Sequence, residues 1–143
     1  MAVIRTSNTS GYCLQMAAAA FSPADATAYF MGNNPATAPT AASGSQFRVY
    51  CPSSGTVRAC YIFVNSVTTT GTNEQSTIAL RLNNTTDTTV SSTLDNSVAG
   101  AVASNTALNI SVVQGDYLEI KWTTPTWATN PTGVRISAAI FIS

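Results

Sequence analysis

Residues 105–125 read NTALNISVVQGDYLEIKWTTP, and this stretch decides the fold class. Its first arm sets Leu108, Ile110 and Val112 against Asn109 and Ser111, and its second sets Leu118, Ile120 and Trp122 against Tyr117, Glu119 and Lys121. A period of two sends alternate side chains to opposite faces, the mark of a half-buried strand. Between the arms, Val113-Gln114-Gly115-Asp116 brings a glycine able to take a positive φ and an aspartate able to bond its own backbone, which predicts a tight reversal. The two arms are therefore expected to form a β-hairpin. Its apolar face needs a second sheet to cover it.

Working outward, the same alternation recurs at 76–83 and again at 134–142, where Val134, Ile136, Ala138, Ile140 and Ile142 share one face. The segment 24–31 sets Tyr29 and Met31 against Ala28 and Phe30, and 46–51 is a short strand stopped by Pro52. Residues 12–21 suit a helix by their alanines, but the context favours a strand. Residues 56–67 are continuously apolar from Ala59 to Val64, which predicts burial on both faces at the sheet centre or at a subunit contact. A small strand is expected at 88–93, while 68–75 reads as an exposed loop, 95–104 as a loop or an irregular edge, and 125–133 as a connection. The loop 33–45, NNPATAPTAASGS, is long for a compact domain and is expected at the surface, as a plain crossover between sheets or as an exposed functional loop. About eight to nine strands follow, with no convincing helix and no repeat, so the fold class is all-β: a two-sheet antiparallel sandwich, with the jelly roll as its best-fitting member. Residues 12–143 are read as one domain behind an N-terminal arm, 1–11, whose polar composition gains order only from neighbours.

Composition narrows the function. The chain has 143 residues, 8% of them charged, with a formal net charge of zero. Ordinary globular proteins carry about 25% charged residues, so hydroxyl and amide groups must cover this surface, and these guard weakly against self-association. The absence of a basic patch argues against nucleic acid, and no apolar run reaches the roughly 20 residues of a membrane span. An early Arg5 followed by a polar run does not make a secretory signal.

There is no histidine, which removes the commonest general base and the usual catalytic zinc sets. The acids Asp25, Glu74, Asp87, Asp95, Asp116 and Glu119 are scattered, so no enzyme activity, cofactor or metal is expected. Cys13, Cys51 and Cys60 are an odd set without CxxC spacing. Cys60 reads as a buried inert thiol, and a Cys51–Cys60 bridge stays open. Tyr61 and Phe63 in the apolar strand, and Trp127 between two prolines, are the candidate interface residues. Trp127 is either an anchor for a partner or sugar, or a lid over the end of the sandwich.

From Phe47 to Ile142 the segments RVYCPSSGTVRACYIFV, IALRLNNTTDT, SNTALNISVVQGDYLEIKW and TPTWATNPTGVRISAAIFI resemble short β-sandwich domains of bacteriophage tail-fibre and head-surface proteins. Their order is also similar to the trimeric jelly-roll heads of the C1q and tumour-necrosis-factor type. The resemblance implies a homotrimer on a virion surface, made in the host cytoplasm. Without the heptads or collagen repeat of a fibre shaft, it implies a capsid decoration or cement protein sitting on the major capsid protein and held by the arm at Val3, Ile4 and Arg5. The alternative it carries is a receptor-binding knob of a tail or head fibre, gripping a host surface glycan with loops such as 33–45 and 68–75.

Overall fold

A computed structural model describes residues 11–68, 70–72, 74–97 and 100–143. Among them run eleven strands: β1 Tyr12–Ala18, β2 Ala28–Met31, β3 Asn33–Asn34, β4 Val49–Tyr50, β5 Gly55–Asn65, β6 Gln75–Leu82, β7 Thr86–Asp95, β8 Gly100–Asn105, β9 Ile110–Val112, β10 Tyr117–Thr123 and β11 Arg135–Ile142. One sheet runs β3-β1-β11-β5-β8 with β9 extending along β5, and the other runs β2-β10-β6-β7 with β4 extending along β10. All pairings are antiparallel except the short β1–β3 contact. The chain passes repeatedly from one sheet to the other, and the fold is a jelly-roll sandwich.

The period-two pattern decides what lies between the sheets. Cys60, Ile62 and Val64 of β5 and Ile136, Ala138, Ile140 and Ile142 of β11 face Ile78 and Leu80 of β6 and Leu118, Ile120 and Trp122 of β10 in one core. Trp122 is almost fully buried, with its indole N–H donating to Ser76 Oγ at 2.7 Å, so its polar atom is satisfied where water cannot reach. Cys51 and Cys60 are free and buried, so the bridge left open by the sequence is not formed. Burial pushes the Cys60 thiol up to about 12, which keeps it protonated and inert.

Two expectations change and a third is narrowed. The two arms of 105–125 do not pair with each other: β9 joins β5 in one sheet, and β10 joins β2, β4 and β6 in the other. The reversal itself is present, with Asp116 N–H donating to Val113 O at 3.0 Å and Gly115 at φ +92°, but it carries the chain across the sandwich. The stretch 95–104 contains a real strand, β8, in which Ala101 and Ala103 point into the core beside Ile62 and Val64 of β5. Within the chain, residues 59–64 are buried on one face only: Cys60, Ile62 and Val64 point inward, while Tyr61 and Phe63 stay 44% and 43% exposed, which leaves the second face to the other expectation, a subunit contact.

After β3, which pairs with β1 in the first sheet, the rest of the long segment, 35–47, is a strap that runs along β2 and over the outer face of the second sheet. Phe30 and Thr40 exchange backbone hydrogen bonds of 2.8 and 3.3 Å, Phe47 is buried, and Ser43 sits on Glu119. Gly32 allows the close approach, because a Cβ there would stand 1.7 Å from the Phe47 carbonyl oxygen.

Candidate self-association surface

The outer face of the first sheet is built from residues of the opposite parity to its core. Register aligns Gln15, Ala139, Tyr61 and Ser104 in one cross-strand row and Ala17, Ser137, Phe63 and Val102 in the next. Cys13, Phe141 and Ala59 form a third. Tyr61 and Phe141 meet edge to face, with centroids 6.2 Å apart and planes at 89°, a geometry that fixes both rings. Val102 is 62% exposed and Phe141 45%. Beside this ridge the small side chains Ala17, Ser137 and Ala139 floor an open trough of about 540 Å³, walled by Tyr61 and Phe63 and by Gln15 and Asn33.

No charged residue stands in these three rows. Arg58 lies at one end of β5, bonded to Asn109 Oδ1 at 3.1 Å, and Arg135 lies at the start of β11. Protein interfaces are depleted of charge at their centre and enriched in Tyr and Phe, as this surface is. Completing the burial of a large apolar side chain is worth about 1.5–3 kcal/mol from full exposure, so each half-exposed ring here offers about half of that to a covering partner.

Of the candidate residues, Tyr61 and Phe63 lie together on this surface. Trp127 is elsewhere: it is 6% exposed, its ring centroid is 6.1 Å from that of Trp122, and its indole N–H donates to Ala24 O at 3.2 Å. Its backbone N–H is held by Asp25 Oδ1 at 3.1 Å, so the residue closes the end of the sandwich and offers no side chain to a partner. Val3, Ile4 and Arg5 lie outside the described residues. Phe141 and Val102 belong to the surface and were not singled out from the sequence. The signal was present in β11, where Ser137, Ala139 and Phe141 alternate with the isoleucines, but attention to the inward face passes over them.

The opposite outer face differs in kind. Asp87 accepts from Arg81 and Lys121, each at 2.6 Å. Burial opposes ionisation of Asp87, but those two hydrogen bonds and charges outweigh it and hold the carboxyl below its ordinary range. Glu119 is fully buried beneath the strap, where Ser43 Oγ lies 2.9 Å from both carboxylate oxygens. Its burial raises its pKa against the opposing pull of Ser43, Arg81 and Arg48. Among the described residues no three His, Cys, Asp or Glu side chains are grouped to hold a metal ion, and no helix is long and apolar enough to cross a membrane. Comparison with protein-family models and with curated proteins finds no match to this chain.

Proposed function

We propose that the protein is a structural assembly protein that self-associates through the outer face of its first sheet, as a homotrimer decorating the head of a bacteriophage. The observation that carries the self-association is the charge-free surface of Tyr61, Phe63, Phe141 and Val102 beside a trough of small side chains. A protein with 8% charged residues and zero net charge has little long-range repulsion to keep copies apart. The trimer and the virion setting come from the resemblance of the strand segments to phage surface domains, and the jelly-roll strand order is the topology that resemblance calls for. Attachment to the major capsid protein is assigned to the arm through Val3, Ile4 and Arg5.

Light scattering should return three times the 14.9 kDa chain mass at micromolar concentration, and a stable monomer would end the assembly reading. Immunogold labelling of intact virions then locates the protein. Label over the whole head supports decoration, label at fibre tips replaces it with the receptor-binding knob, and absence of label removes both. Co-sedimentation of protein lacking residues 1–11 with undecorated capsids tests the arm, because undiminished binding would move attachment to the sandwich itself.

A further inference from the structure

The strap covers Glu119 on the outer face of the second sheet, Arg81 lies over the Phe30 ring, and Asp87 is committed to Arg81 and Lys121, but the corner where β4 meets β10 is left open. Here Tyr50 and Tyr117 are register partners with ring centroids 5.7 Å apart. Tyr50 is 55% exposed, and the exposed guanidinium of Arg48 lies over the Tyr117 ring, 4.7 Å from its centroid. Arg48 makes no ion pair among the described residues; Tyr50 first and Tyr117 next favour its charged form, while Glu119, the weakest of its partners, is sealed beneath Ser43.

We propose that this corner binds a carboxylate-bearing saccharide, with the sugar ring stacked on Tyr50 and its carboxylate paired with Arg48. An exposed phenol ring offers an apolar face with a polar tip, suited to the C–H face of a sugar and its hydroxyls. The guanidinium fork matches a carboxylate bidentately, and its stacking on Tyr117 limits the freedom it loses on binding. A wholly apolar partner would bury that charge unpaired, and a polyphosphate would call for several free cations where this corner has one. The site lies on the sheet opposite the self-association surface, so it stands apart from the assembly reading.

The test is a fluorescence or NMR titration of the full chain with a glucuronate-containing oligosaccharide, and with the same oligosaccharide after its carboxyls are reduced to alcohols. Saturable binding of the acidic form is expected, with the reduced form weaker by about tenfold or more, the worth of a charge-assisted pair. Tyr50→Ala should abolish binding while Tyr50→Phe retains it, which separates lost stacking from lost folding. Arg48→Gln should bring the two oligosaccharides to equal, weak affinity. The proposal fails if the unmodified protein binds neither form, if it binds both equally, or if Tyr50→Ala and Arg48→Gln leave binding unchanged. A trimer mass accompanied by no saccharide binding would end this proposal and leave the assembly reading standing.

Discussion

The two sheets of this sandwich share one core but turn unlike faces outward. The first exposes Tyr61, Phe63, Phe141 and Val102 over small side chains, without a charge in its central rows. The second carries Arg81, Lys121 and Asp87 in an ion-paired cluster, lays the Arg81 guanidinium over the Phe30 ring, and folds the strap 35–47 along β2 and over Glu119. Both use the same period-two rule to fill the interior. What differs is how the apolar residues on the outer side are managed: within the chain over most of the second sheet, where only the Tyr50–Tyr117 corner stays open, and by a broad exposed surface for the first. An uncovered aromatic face therefore points to a partner, whereas a strap removes the need for one.

The largest break of this comparison would come from the core on which both faces depend. Trp122 meets Phe21 and Trp127 edge on or tilted at 6.1 Å, and Ser76 accepts from its indole. Trp122→Ala should cost about 3–5 kcal/mol in urea denaturation, and both faces should be lost in one transition. Two separated transitions, or a cost under about 1 kcal/mol, would show that the sheets are not supported by a common core.

Phe63→Glu sharpens the contrast. A carboxylate in the charge-free row should reduce the assembly to the 14.9 kDa chain in light scattering, because a buried unpaired charge in an interface is strongly unfavourable. Tyr50→Glu, on the other sheet and more exposed, should leave the mass unchanged. Equal effects at the two positions would remove the distinction between the faces. On the strapped side, Gly32→Ala forces a Cβ against the Phe47 carbonyl oxygen and should lower stability by about 1–3 kcal/mol without altering the mass.

Much of the fold was legible because alternation reports burial. The sandwich and the inward sets of β6, β10 and β11 follow from it, whereas the strand nature of β1, whose alanines also suit a helix, follows only from its context. Pairing was less legible. Both β6–β7 and β9–β10 are alternating arms around a tight turn, yet only the first pair hydrogen-bonds, through Asn83 and Asn84 at φ +50° and +56°. In the second, Gly115 N–H donates to Cys51 O and Cys51 N–H to Asp116 O, so a contact more than sixty residues away in the chain directs the turn across the sandwich. No local pattern encodes that. β8 was hidden for a different reason: Gly100, Ala101 and Ala103 have low strand propensity, and their place is set by packing beside the larger side chains of β5. Of the surface, Tyr61 and Phe63 were legible, while the fate of Trp127 depended on Ala24 and Asp25, about a hundred positions earlier.

The smallest expected effect is electrostatic, and it belongs to the second sheet alone, since the central rows of the first contain no Asp, Glu, Lys or Arg to titrate. Glu119 has a folded-state pKa raised by burial, so the protonated form is favoured by folding. Its contribution to stability is full below the ordinary glutamate pKa of about 4.3 and is lost as pH rises through the folded value. Asp87 has the opposite sign. Its lowered pKa adds stability above the ordinary aspartate value of about 3.9, which is lost as pH falls through the folded value. Glu119→Gln keeps an oxygen to accept from Ser43 and removes the titration, so urea midpoints measured from about pH 4.3 to neutrality should lose their decline with rising pH. Asp87→Asn should leave that decline in place and reduce the fall at the acid end, the remainder belonging to Asp95 and Asp116, whose carboxyls are also held below their ordinary range by hydrogen bonds from Ser97 and from the Val113 N–H and Asn83. If Glu119→Gln keeps the parental slope across that range, the buried carboxylate under the strap is not what titrates, and Asp87 cannot stand in for it, because its contribution is already complete above about pH 3.9 and is lost only toward acid.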